Sequence, residues 1–150
     1  MKGLVALVAV AGVALLGAPA AFAATFTVTT TADSGAGSLR QAIIDANALP
    51  GGDTIEFAIP GAGVQVIQPA TALPVVTDAV VIDGSTQVDG SGFPLVRIDG
   101  GADAAPSLYG LELDVASISS STVNKLAFTR WDTGNGAGLY VHGTGTALVT

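Results

Sequence analysis

From Thr54 to Val149 the chain is written in short apolar, β-branched runs, with Gly, Ser, Asp or Asn between most of them. That punctuation constrains the fold more than any other feature. Each run suits one short strand and is too short for a helix. The runs are Thr54–Phe57, Val64–Ile67, Leu73–Val76, Ala79–Gly84, Leu95–Gly100, Leu111–Leu113, Val123–Phe128, Gly138–Val141 and Ala147–Val149. Two of them end alike, in Val81-Ile82-Asp83-Gly84 and Arg97-Ile98-Asp99-Gly100, 16 residues apart. A longer echo sets Gly110-Leu111-Glu112-Leu113 against Gly138-Leu139-Tyr140-Val141, 28 residues on. Apolar sites follow them at Val123 and Val149. A repeat in the range of about 20–50 residues signals a solenoid.

The segment ahead of these runs is different. Thr25 to Thr31 alternates Phe26 and Val28 with threonines, the period of a strand. Asp33 to Gly37 reads as a turn. Ser38 then has the form of a helix N-cap, and Gln41, three residues later, completes a capping-box pattern. Leu39, Ala42, Ile43 and Ala46 fall on one helical face, and Pro50-Gly51-Gly52 stops the helix. A solenoid exposes apolar side chains and unpaired strand edges at its first coil, and natural repeat proteins cover that end with an atypical unit. The helix is expected to serve as that cap. Its apolar face would lie on the first coil, with Arg40 and Asp45 in water. The alternative architecture is a β-sandwich with one incidental helix, which also predicts short strands at intervals of about 8–12 residues.

The first 23 residues read as an address. Lys2 gives a positive start, Leu4 to Leu16 is an apolar run, Pro19 breaks it, and Ala21-Phe22-Ala23 is a peptidase pattern. Cleavage is expected between Ala23 and Ala24. The run has 13 residues, short of the roughly 20 a membrane span needs, and no second one of spanning length follows. The expected product is secreted or held at the cell surface, with no transmembrane segment after signal removal. Removing the signal takes away Lys2 and no acid, so the formal charge moves from -7 to -8.

Composition narrows the function classes. Arg40, Arg97, Lys125 and Arg130 stand far apart, so no basic face exists to displace counterions from nucleic acid. With no cysteine, disulfides, thiol catalysis and Cys-based zinc sites are excluded.

The string TFTVTTTADSGAGSLRQAIIDANALPGGDTIEFAIPG from Thr25, followed by LPVVTDAVVIDGSTQ from Leu73, resembles the N-terminal region of large secreted right-handed parallel β-helix proteins. The family is the domain named for its Cys-Ser-Leu-Arg-Glu-Ala motif. Here the motif is Gly37-Ser38-Leu39-Arg40-Gln41-Ala42, with Gly37 in place of Cys and Gln41 in place of Glu. Further on, STVNKLAFTRW and GAGLYVHGTG resemble the repeating coils of such proteins. The resemblance covers most of Thr25 to Thr150 and implies an all-β, right-handed parallel β-helix. It is nearly silent on activity, because the fold hosts adhesion-like repeat proteins as well as polysaccharide lyases and hydrolases.

Candidate chemistry is sparse. His142 is the single histidine, without a GxSxG elbow or further zinc ligands, and reads as an exposed turn residue. Asp83 and Asp99 form the best acid pair if both Ile-Asp-Gly runs end on one face, yet Asp-Gly is also an ordinary turn. Asp83, Asp89, Asp99 and Asp103 lack the spacing of a calcium loop. Gly134 to Gly138 lacks the lysine of a phosphate cradle. Trp131 beside Arg130 and Asp132 reads as a partly buried edge residue. No catalytic, metal or cofactor-binding residue is therefore assigned.

The expected organisation is a signal peptide at 1–23, a strand-plus-helix cap at 24–52 and the first coils of the β-helix at 53–150, with further coils beyond Thr150. The expected function is the capping portion of an exported surface or extracellular repeat protein, structural or adhesive, contacting extracellular glycans or cell-surface components. The alternative is the N-terminal part of a polysaccharide lyase or glycoside hydrolase whose catalytic coils lie beyond residue 150.

Overall fold

The computed structural model of this chain describes residues 22–101, 109–114, 121–131 and 136–150. The described chain is mostly strand, with parallel sheets and little helix. The elements are β1 (Thr25–Val28), α1 (Leu39–Ala48), β2 (Asp53–Phe57), β3 (Gln65–Ile67), β4 (Val80–Asp83), β5 (Val96–Asp99), β6 (Tyr109–Asp114), β7 (Ser121–Asn124), β8 (Ala127–Thr129), β9 (Ala137–His142) and β10 (Ala147–Val149). No helix among the described residues is long and apolar enough to cross a membrane.

Among the described residues the strands form three sheets. The first has the order β1-β2-β4-β7-β10, the second β3-β5-β8, and the third β6-β9. Every strand pair is parallel. An isolated parallel bridge from Val76 to Leu113 adds one position beside the third sheet. From β2 onward the chain visits the sheets in a fixed cycle: first, second, third, then first again.

Register puts like residues beside like. Phe26 pairs with Ile55, Ile55 with Ile82, Ile82 with Val123, and Val123 with Val149. In the second sheet Ile67 pairs with Ile98 and Ile98 with Phe128. In the third, Leu111 pairs with Leu139 and Leu113 with Val141. Ile55, Ile82 and Ile98 are wholly buried. Each such side chain removes water-accessible apolar area worth about 1.5–3 kcal/mol. α1 adds Leu39, Ala42, Ile43 and Ala46 to the same core and packs against β1 and β2.

The structure changes three details of the sequence reading. The 16-residue echo does not stack: Asp83 ends β4 in the first sheet and Asp99 ends β5 in the second. That spacing separates neighbouring sheets along the chain, and each strand leaves by its own Asp turn. The 28-residue echo does stack, as Leu111 against Leu139. Val123 to Phe128 is not one strand, because Lys125 takes a φ of 53° and turns the chain from the first sheet into the second. Leu73 to Val76 is not a ladder strand, and Pro74 has no N–H to contribute to one.

Parallel stacking brings backbone close to backbone at the turns. A Cβ on Gly84, just after β4, would lie 2.1 Å from the Lys125 carbonyl oxygen. Gly84→Ala is therefore expected to destabilise the fold by about 1–3 kcal/mol, the usual cost of overfilling a packed site. Urea unfolding would read the loss as a lower midpoint at unchanged slope.

Candidate functional site

The helix-cap motif is a structural device. Ser38 Oγ accepts from the Gln41 N–H at 3.2 Å and donates to the Gly35 carbonyl at 2.7 Å. Only half of the expected capping box forms, since the Gln41 side chain donates instead to Asp45 Oδ1. Leu39 and Ala42 are buried as expected. Glycine is required at position 37, just ahead of the cap. Its φ is 76°, and a Cβ there would meet Thr29 Oγ1 at 2.3 Å.

Arg40 does not face water as expected. Its Nε donates to the Asp33 carbonyl, one terminal nitrogen donates to Asp33 Oδ1 and the Thr71 carbonyl, and the other donates to the Ala72 carbonyl. The hydrogen bond from Arg40 holds the Asp33 carboxyl below the usual carboxylate range, and the Ala70 N–H adds to it. Asn47 extends the tie, donating to the Val75 carbonyl and accepting from the Thr77 N–H. Asp45 is half-buried, not free in water.

The candidate acids are separated and occupied. Asp83 accepts from the Ser85 N–H and from Asn124. Asp89 accepts from the Ser91 and Phe93 N–H groups. Asp99 accepts from the Gly101 N–H and from Arg130 Nε at 2.6 Å, with Arg97 Nε 3.7 Å from its second oxygen. The Arg130 guanidinium and the Gly101 N–H hold the Asp99 carboxyl below its usual range, against the opposite pull of burial. Each carboxylate is thus spent on its own turn. Asp103, Asp132, Gly134 and Ala21 lie outside the described residues, whereas Ala23 is exposed and Ala24 half-buried. Trp131 is half-buried, its Nε1 donating to the Ile98 carbonyl at 3.3 Å.

Sequence reading missed a cluster on the third sheet. Register places Glu112 beside Tyr140 and Asp114 beside His142. His142 is not in a turn: it ends β9, half-buried, with Nε2 3.0 Å from Glu112 Oε1 and Nδ1 3.8 Å from Asp114 Oδ1. The two carboxylates meet opposite nitrogens of one ring, so they clamp the imidazole instead of converging with it on a common point. The Tyr109 and Tyr140 rings stack with centroids 4.1 Å apart at 9°, and Tyr140 lies 5.4 Å from the His142 ring. Partial burial, with Tyr140 and Glu112 alongside, pushes the Tyr109 phenol above its usual value. Gly110 and Leu111 are both buried, which breaks the alternation of β6 and leaves Tyr109 on the same side as Glu112. The 28-residue echo carried the signal for this cluster, since its register sets Glu112 opposite Tyr140.

No family model matches the chain, and neither the curated proteins nor the solved structures give a match.

Two outcomes follow from the ion pairs. Arg40→Lys replaces a planar fork by a point charge that cannot reach four acceptors, and should cost about 1–2 kcal/mol in a denaturant melt. Asp99 has a folded pKa below its unfolded value of about 3.9. Its contribution is therefore present above that value and lost as pH falls through the folded pKa. In Arg130→Met, stability at neutral pH should drop, because the buried Asp99 carboxylate loses its charged donor. The acid limb of its stability profile, followed by urea unfolding from pH 7 to pH 2, should become shallower.

Proposed function

We propose that this chain is the capped N-terminal portion of an exported, right-handed parallel β-helix repeat protein that contacts glycans at the cell surface or outside the cell. The observation that carries the reading is the fixed cycle in which the chain visits three parallel sheets. Each circuit returns a residue beside its counterpart, as Tyr109 beside Ala137 or Gln65 beside Val96. Crossovers between parallel strands of one sheet are right-handed in about 98% of cases, which is the basis for the hand proposed. In this reading β1 and α1 cover the first coil, so that Val28, Ile55 and Ile43 are shielded at that end. Val149 continues the column of Ile55, Ile82 and Val123, yet it is 55% exposed where Ile82 is wholly buried. Export is supported by the positive start, apolar run and Ala21-Phe22-Ala23 pattern.

The proposed contact surface is the Tyr109, Tyr140, Glu112, Asp114 and His142 face. A tyrosine ring offers a flat apolar surface with a polar tip, and carboxylates accept hydrogen bonds from neighbouring hydroxyls. That combination suits a sugar, with apolar C–H faces and hydroxyl edges. Asp83 and Asp99 are engaged in turns and ion pairs, which favours contact over hydrolysis for this part of the chain.

The exported protein should be retained on immobilised extracellular polysaccharides such as pectin or alginate. Tyr140→Ala should weaken retention about tenfold, the size of a single aromatic contact. Equal retention of Tyr140→Ala, or none by the parent, overturns the assignment of this face. Release of unsaturated oligosaccharides would point to a lyase instead.

A further inference from the structure

Asp53 opens β2 and has no exposed surface. Its Oδ1 accepts from the Ala24 N–H at 2.8 Å, and its Oδ2 has no hydrogen-bond partner among the described residues. The other fully buried carboxylate among the described residues, Asp99, has Arg130 and Arg97 beside it. No ion pair is found for Asp53 among the described residues. A buried carboxylate with one neutral donor and one unmet oxygen is a costly arrangement. A protein keeps such a group where something further satisfies it.

The donor is the residue that becomes the first of the chain if peptidase cuts after Ala21-Phe22-Ala23. The two sides of that bond differ. Phe22 and Ala23 are exposed, whereas Ala24 is held, its carbonyl accepting from the Thr54 N–H at 2.8 Å.

We propose that the Asp53 carboxylate is a receptor for the α-ammonium group created by cleavage of the Ala23–Ala24 bond. Hydrolysis consumes one water and breaks the amide C–N bond. It leaves a carboxylate on Ala23 and an α-amino group on Ala24, which carries a proton at neutral pH because such amines titrate near about 8. The nitrogen already positioned on Oδ1 then brings a positive charge and further N–H donors to a site with an unmet acceptor. Export and folding are thereby linked: the processed chain fastens β1 onto β2, and the precursor lacks the charge that does so. The inference rests on the reading of residues 1–23 as a cleavable signal.

The test starts from the exported protein, whose intact mass and N-terminal sequence give its first residue. A start other than Ala24 overturns the proposal through the cleavage site, leaving the buried Asp53 unexplained. With a start at Ala24, thermal unfolding is compared before and after acetylation at about pH 6.5, where the α-amine reacts while lysine side chains, titrating near about 10, stay protonated. Acetylation should lower Tm by about 3–8 °C, as expected for loss of one charge-assisted hydrogen bond. In Asp53→Asn it should lower Tm by less than a third of that. A chain that retains Ala23, with its amine displaced by one residue, should melt like the acetylated form, and this comparison leaves Asp53 intact. No change on acetylation, an equal change in Asp53→Asn, or a retained Ala23 that melts like the processed chain each overturns the pairing while the export reading stands.

Discussion

Ile82 is wholly buried because Ile55 and Val123 lie directly beside it in neighbouring parallel strands. The rest of the structure depends on this registration of like on like. In a parallel ladder, a slip by one residue would move every inward side chain to the outer face. The columns through Ile55, Ile82 and Val123, and through Ile67 and Ile98, therefore fix where each strand begins. Fixed strand starts in turn fix where the turns fall, which is why Gly84 comes so close to the Lys125 carbonyl.

Polar groups do a different job. Arg40, Asn47 and Asp33 fasten α1 to the segment around Thr71 to Thr77 through hydrogen bonds to backbone carbonyls and N–H groups. Loop segments carry unpaired backbone groups that must find partners, and a helix that supplies them also locates itself. The same economy appears at Asp83, Asp89 and Asp99, whose carboxylates accept the N–H groups of the turns that follow them. Acids placed in this way hold the chain and are poorly available for catalysis. The third sheet differs in what it gathers: its register brings two tyrosines, a histidine and two acids together on one face.

Much of this was legible in the residues. Alternation in TFTV, helical spacing at Leu39, Ala42, Ile43 and Ala46, and Asp-Gly at strand ends are local signals. They placed the start of β1, both ends of α1 and the ends of β4 and β5 within a residue or two, whereas β1 ends at Val28, short of the Thr31 that the alternation suggested. The echo of GLEL in GLYV even held the register of the third sheet. What misled was also local: VIDG and RIDG look like one repeat because both strands exit through the same turn chemistry, although they belong to different sheets.

The sequence by itself determined the short strands, the capped helix α1 and the turns, because each depends on contacts within a few residues. Only the tertiary structure decided which runs stack, where Arg40 reaches, that His142 sits between Glu112 and Asp114, and that Asp53 meets Ala24. Those contacts join residues about one circuit of the chain apart, such as the 29 positions from Ala24 to Asp53 and the 30 from Glu112 to His142. A local pattern specifies the periodicity of a strand but not the strand that will lie beside it, since that choice is made by burial of whole columns at once.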